Sequence, residues 1–197
     1  RQLEFTQLDM EMSFVEEDDV FRTWEQVLSE TFREAMGMEI QVPFPRMSWG
    51  EAMERYGIDK PDLRFGLELV CIAEWAKTSD FVVFKDTIAR GERVMGIRVP
   101  AQHPLTRKDI DALEETAKSS GAKGLAWWKL SAEGGSGPLS KFTAGDAGAR
   151  LRARMGAVDG DTCLFVAGKQ NLVWRVLGEL RNVLGKKFGL NTGAWRF

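Results

Sequence analysis

The chain has 197 residues, long enough for one large or two small domains with cores of their own. Its 44% hydrophobic and 28% charged residues are ordinary for a soluble globular protein. A formal net charge of −2 removes any whole-molecule electrostatic case for nucleic-acid binding, and leaves room only for a local basic patch.

In chain order, the first pattern is Glu4 to Val15, which alternates as a half-buried strand does. Leu8, Met10, Met12 and Phe14 fall on one face, and Gln7, Asp9, Glu11 and Ser13 on the other. Acidic Glu16 to Asp19 suit the positive end of a following helix dipole. In that helix Val20, Trp24, Val27, Leu28, Thr31, Phe32 and Ala35 share a face, and Gly37 is placed to cap it. Ile40 to Phe44 reads as a short strand closed by Pro43 and Pro45. Ser48 and Glu51 have capping-box spacing ahead of a helix that runs to Tyr56 and stops at Gly57. Asp59 to Arg64 is a polar loop, and Leu67 to Ala76 is expected to be a short helix.

A compact α+β unit is predicted from about Phe81. Phe81 to Phe84 and Val94 to Val99 are expected strands around the turn Ala89 to Glu92. Thr106 and Asp109 cap a helix through Ser119 that buries Ile110, Leu113 and Ala117. Leu125 to Leu130 is the next strand, with Trp127 and Trp128 on opposite faces, one for the core and one for a surface or domain contact. The glycine-rich loop Glu133 to Pro138 lacks the lysine and the Ser or Thr of a P-loop. Ser140 to Phe142 is expected as an edge strand and Asp146 to Met155 as a helix. On that helix Arg150, Arg152 and Arg154 splay and do not form one patch. An apolar strand, Thr162 to Ala167, and a last helix, Asn171 to Leu184, complete the pattern. The helix buries Val173, Val176, Leu177, Leu180 and Leu184, with Lys186 and Lys187 at its C-terminal end.

Cys71 and Cys163 match no C-x-x-C spacing, which predicts reduced thiols and a cytoplasmic chain. His103 is the only histidine, so a zinc site would rest almost wholly on carboxylates, and no metal site is expected. No apolar run approaches the ~20 residues of a membrane span, and no signal-peptide pattern opens the chain. Arginine at position 1, followed at once by a strand pattern, is what an excised piece of a longer protein would show.

Three stretches carry a resemblance. Arg1-Gln2, then Glu4-Phe5-Thr6-Gln7-Leu8-Asp9-Met10-Glu11-Met12-Ser13-Phe14, resembles the second half of the second class II signature motif of bacterial-type aspartyl-tRNA synthetases. Tyr56-Gly57-Ile58-Asp59-Lys60-Pro61-Asp62-Leu63-Arg64-Phe65-Gly66 is similar to that family's YGxDKPDLRFG run. Leu105 to Lys108 and Gly121 to Ala126 resemble its insertion, the GAD domain shared with some tRNA-dependent amidotransferase subunits.

The resemblance implies an α+β fold: part of a class II antiparallel sheet over residues 1–66, a two-layer, DCoH-like GAD insertion of ββαββα type over 67–188, and a return towards the catalytic domain over 189–197. It implies aspartate–tRNA ligase chemistry, in which aspartate and ATP form aspartyl-adenylate that then esterifies tRNA. On that carry-over Gln2 lies near ATP, and Gln7 and Asp9 line the aspartate and adenylate pocket, Asp9 near the amino group. Glu11 is peripheral, and Leu3 departs from the more usual proline. ATP with magnesium would serve the intact enzyme, with nothing bound tightly by this piece. The partners implied are tRNA for aspartate, aspartate and ATP, within a homodimer and away from membranes. The motif arginines of the family are not among these residues, so the chain alone is expected to be inactive. The insertion shows no acid–base pair or nucleophile, and is expected to touch tRNA or brace the catalytic domain through Arg90, Arg93, Arg107, Lys108, Lys186 and Lys187. The alternative is a non-catalytic tRNA-binding GAD-type module of an amidotransferase.

Overall fold

The structure, a computed structural model, describes residues 4–192, in two units: 4–46 and 47–192. In the first unit helix α1, Glu17–Met36, starts on a capping box between Glu16 and Asp19 and ends at Gly37, whose left-handed φ of 63° suits glycine. The strand expected at Glu4 to Val15 does not form. These residues carry no ladder, Phe14 has a left-handed φ of 58°, and Phe5, Leu8, Met12 and Phe14 are exposed. A strand is completed by its hydrogen-bonding neighbour, and no described residue pairs with this segment. The short strand expected at Ile40 to Phe44 is also absent. There the backbone is held by a side chain, as Phe44 N donates to Glu25 Oε1 at 3.1 Å.

The second unit opens with α2, Trp49–Tyr56. Ser48 Oγ accepts from Glu51 N at 3.2 Å, but only this half of the box forms, because the Glu51 carboxylate pairs with Arg55 at 2.6 Å. The rest is a four-stranded antiparallel sheet in the order β1-β2-β4-β3: β1 Leu69–Cys71, β2 Arg93–Val99, β3 Ala126–Lys129 and β4 Thr162–Gly168. Helices α3 Ala73–Thr78, α4 Val82–Ala89, α5 Arg107–Ser119, α6 Gly145–Met155 and α7 Gln170–Lys187 cover it. The fold is α+β.

Both faces of the sheet are buried. Met95, Ile97, Leu164, Val166 and Trp127 point into the core beneath α5 and α7. Val94, Cys163, Phe165 and Trp128 point into a second core with α3, α4 and α6. The second unit is therefore three layers rather than the expected two, and it keeps the expected ββαββα order as β1-β2-α5-β3-β4-α7, with α3 and α4 added between β1 and β2 and α6 between β3 and β4. Trp127 and Trp128 do take opposite faces, but both are buried, since neither face is left to solvent. Burial of the Cys163 thiol in this interior pushes its pKa up to about 12.

Three local expectations are corrected. Phe81 to Phe84 opens helix α4 and is no strand. Phe81, Phe84 and Ile88 are spaced for one helical face, a pattern a four-residue apolar run cannot separate from a strand. Leu67 to Ala76 holds β1 before α3, because Leu69 to Cys71 register against Ile97 to Met95. Ser140 to Phe142 is a 3-10 turn, while Ser136 bridges to Lys129 at the sheet edge.

Gly96 lies opposite Phe165, and a Cβ built there would stand 2.5 Å from the buried ring. Gly96→Ala is expected to lower stability by about 1–3 kcal/mol through overpacking, measured as a shift in the urea midpoint at unchanged slope.

Candidate functional site

The polar pair of the N-terminal segment is brought together. Gln7 Nε2 donates to Asp9 Oδ1 at 2.6 Å, with both residues exposed. Glu11 makes no such contact with them, and Gln2 lies outside the described residues. An amide bonded to a carboxylate leaves that carboxylate free oxygen sites for an ammonium group.

The second cluster sits where α5 begins and α7 ends. Thr106 and Asp109 form the expected capping box, and Lys187 Nζ donates to Asp109 Oδ1 at 2.7 Å. Lys187 and the bonds from Thr106 hold the Asp109 carboxyl down at about 2. Lys187 is thus committed to a bond between two helices. Arg107 pairs with Asp111 at 3.0 Å, and its guanidinium lies 5.7 Å from the Trp127 ring. Arg90 pairs with Glu92 at 2.9 Å, and Arg93 bonds Glu54. Of the six expected cations, Lys108 and Lys186 are exposed and hold no side-chain partner among the described residues. The structure therefore sorts the set into four paired cations and two available ones.

The loop after α2 is held by a residue absent from the sequence reading. Arg181 of α7 is fully buried. Its Nε donates to Gly66 O at 3.1 Å, and its Nη2 donates to Asp62 O at 2.7 Å and Phe65 O at 2.8 Å. The guanidinium stands 4.2 Å from the Phe65 ring centre and 4.8 Å from that of Tyr56. Burial pushes its pKa down, opposed by Tyr56, Asp62 and Glu68. One signal was available: Arg181 is four residues after Leu177 and three before Leu184, on the apolar stripe of α7. Beside this loop, Arg64 pairs with Asp62 at 2.6 Å and holds its carboxyl below the usual range. Among the described residues no three His, Cys, Asp or Glu side chains converge as a metal ion requires.

A further groove, of about 470 Å³, separates α2 from α7. Trp49 stands at its mouth with 62% of its surface exposed, its ring edge-to-face with buried Trp174 at 5.9 Å. No helix of the described residues is long and apolar enough to cross a membrane.

Two expectations about stability follow. Replacing Arg181 by alanine leaves three backbone carbonyls without their donor and opens a cavity where a fully buried side chain stood, and should destabilise the fold by about 3 kcal/mol in denaturant unfolding. The depressed Asp109 carboxyl adds stability that is complete above its ordinary value of 3.8 and is lost as pH falls towards about 2. Asp109→Asn should therefore flatten the stability profile between about pH 4 and pH 2, with an acid limb as steep as before counting against the pairing.

Residues 84–177 match the family model described as the GAD domain. Over 191 residues the chain is 48% identical to an aspartate–tRNA ligase of Bacillus licheniformis, covering 96% of this chain and 32% of the relative. It is 47% identical over 191 residues to that of Geobacillus kaustophilus, with the same shares covered. Against that of Xanthomonas campestris pv. campestris it is 48% identical over 197 residues, 99% of this chain and 34% of the relative. The chain thus spans about a third of the length of the curated relatives it matches. With the GAD domain match at its centre, the chain is thus similar over nearly all of its residues to about a third of the length of bacterial aspartate–tRNA ligases.

Proposed function

We propose that this chain serves aspartate–tRNA ligase activity of the class II kind. In that reaction ATP and aspartate give aspartyl-adenylate, and the aspartyl group then passes to the 3′ end of tRNA. The observation that carries the reading is identity of 45–48% over nearly the whole chain to proteins of that name. Residues 1–66 contribute part of the catalytic floor, 67–188 the insertion and 189–197 the return. The intact enzyme is taken to be a cytoplasmic homodimer.

In this reading Asp9 offers its carboxylate to the ammonium of aspartate, Gln7 hydrogen-bonds a polar edge of the substrate, and Gln2 lies near ATP. ATP would enter with magnesium, which would supply charge neutralisation at the phosphates. The described residues show no convergent acidic group for that ion, so no step is assigned to it. What Gln7 and Asp9 do is bind and orient, which is most of what adenylate formation asks of a protein. Both are solvent-exposed, where a hydrogen bond or ion pair is weak. That exposure supports the proposal that this chain alone forms no aspartyl-adenylate. Aspartate-dependent exchange of pyrophosphate into ATP above the no-protein blank would overturn it.

For tRNA, the unpaired cations Lys108 and Lys186 are the contacts this reading favours, ahead of Lys187 and Arg107. Neutralising a phosphate releases counterions, so each true contact steepens the dependence of affinity on salt. Titration with tRNA for aspartate at several salt concentrations should show binding that weakens as salt rises. Lys186→Ala and Lys108→Ala should each lower affinity and reduce the salt slope by about 1. Lys187→Ala should act first on stability, through the lost bond to Asp109. Absence of saturable binding would leave the insertion as a brace and remove the tRNA contact.

A further inference from the structure

The groove between α2 and α7 has features that the reading above does not use. Gly57 and Gly178 set its depth: a Cβ on Gly57 would stand 2.3 Å from Trp174 O, and one on Gly178 would stand 2.8 Å from Gly57 O. The two helices therefore approach backbone to backbone, and the groove walls are rigid. Trp49 presents an open aromatic surface at the mouth, its ring set edge-to-face with that of Trp174. Trp174 is itself fixed by donating from Nε1 to Glu54 Oε2 at 3.3 Å. An indole this exposed, with one ring contact behind it, offers a surface on which a planar group can stack.

The far wall supplies the polar groups. Arg175, Glu179, Asn182 and Lys186 follow at spacings of four, three and four, which places them on one face of α7. Arg175 donates to Ser120 O at 2.9 Å, and Glu179 accepts from Ser120 Oγ at 2.5 Å, so both are tied to the end of α5. Asn182 is exposed, lines the groove, and has no side-chain partner among the described residues. Its amide carries donors and an acceptor together, the combination that matches the edge of a nucleobase. Lys186, one turn further along, is the available cation identified above. The carboxylates Asp59 and Glu179 line the same groove. Against the one cation of the lining, Arg175, which is engaged by Ser120 O, they leave the groove net acidic; this disfavours phosphate inside it and favours groups with N–H donors, so charge points to a base within and a phosphate at the Lys186 end.

From this juxtaposition we infer that the α2–α7 groove is a subsite for an unpaired RNA nucleotide, its base stacked on Trp49 with its edge against Asn182 and its phosphate beside Lys186. The inference rests on the tRNA-binding reading and deepens it by naming single-stranded RNA as the chemistry recognised at this place. It also makes the isolated helix face of α7 a specific surface rather than a solvated one.

The test is fluorescence anisotropy of the full chain with three labelled probes: single-stranded oligoadenylate, an RNA duplex of equal charge, and tRNA for aspartate. The single strand is expected to bind more tightly than the duplex. Trp49→Ala should weaken single-strand binding by about tenfold, and Trp49→Phe should retain most of it, because stacking needs a ring and not the indole N–H. Asn182→Ala should weaken it with the salt slope unchanged, whereas Lys186→Ala should lower the slope by about 1. Circular dichroism melts of each variant show that the fold is kept. Equal affinity of Trp49→Ala and the parent chain for the single strand overturns the subsite. If that variant instead loses a self-association seen in sedimentation, the groove belongs to a protein surface and the inference falls. Binding of tRNA without any Trp49 effect overturns the subsite and keeps the tRNA reading. Trp49-dependent single-strand binding without tRNA binding does the reverse, and no RNA binding overturns both.

Discussion

Strand β4 pairs with β2 on one side and β3 on the other, and it is apolar on both of its faces. That double demand governs the second unit. Leu164 and Val166 need cover on one side, Cys163 and Phe165 on the other, and a sheet with one covered face would leave half of them in water. Two sets of helices answer it, α5 and α7 against one face, α3, α4 and α6 against the other. The neighbouring strands follow the same logic. Gly96 yields its side-chain space to the Phe165 ring directly opposite, and Trp127 and Trp128, adjacent in sequence, fill opposite cores.

Helix α7 is where this packing meets the candidate interface. Its buried stripe closes one core, yet the same stripe includes Arg181, a charge removed wholly from water. Taking a guanidinium out of water is expensive, and here three backbone carbonyls accept from Nε and Nη2 and two aromatic rings flank the group, while Nη1 is buried without a hydrogen-bond partner among the described residues. The result is that residues 62–66, in the loop after α2, are held in place by a helix more than a hundred residues further along the chain. The exposed face of α7 then carries Asn182 into the groove that Trp49 also lines, with Lys186 one turn further along, on a wall whose position is set by glycine contacts at Gly57 and Gly178.

Charge tells the same story at smaller scale. Six cations look equivalent along the chain, and the fold divides them by partner. Lys187 closes a helix cap through Asp109, while Arg107, Arg90 and Arg93 each meet a carboxylate. Lys108 and Lys186 are left to attract something from outside. A nearly neutral chain can therefore still offer a defined basic contact, because net charge says nothing of which charges are already answered.

Local rules were legible wherever the interaction is local. The caps at Ser48 and Thr106, the stop at Gly37, the stripe of α7 and the alternation of Trp127 and Trp128 all depend on residues within a turn or two of each other, so sequence spacing reveals them. The near-full-length likeness to one enzyme family was legible too, in Gln7 and Asp9 and in the run from Tyr56 to Gly66. What spacing could not reveal depends on partners far along the chain. Phe81 to Phe84 became a helix because Phe165 and Trp75 await its face, and Leu69 to Cys71 became a strand because β2 offers a ladder. Glu4 to Val15 has the alternation of a strand but no neighbour among the described residues to complete its hydrogen bonds. The role of Arg181, the pairing of Lys187 and the placing of Trp49 and Asn182 along one groove were decided only in three dimensions, since each joins residues scores of positions apart that nothing but the packed core brings together.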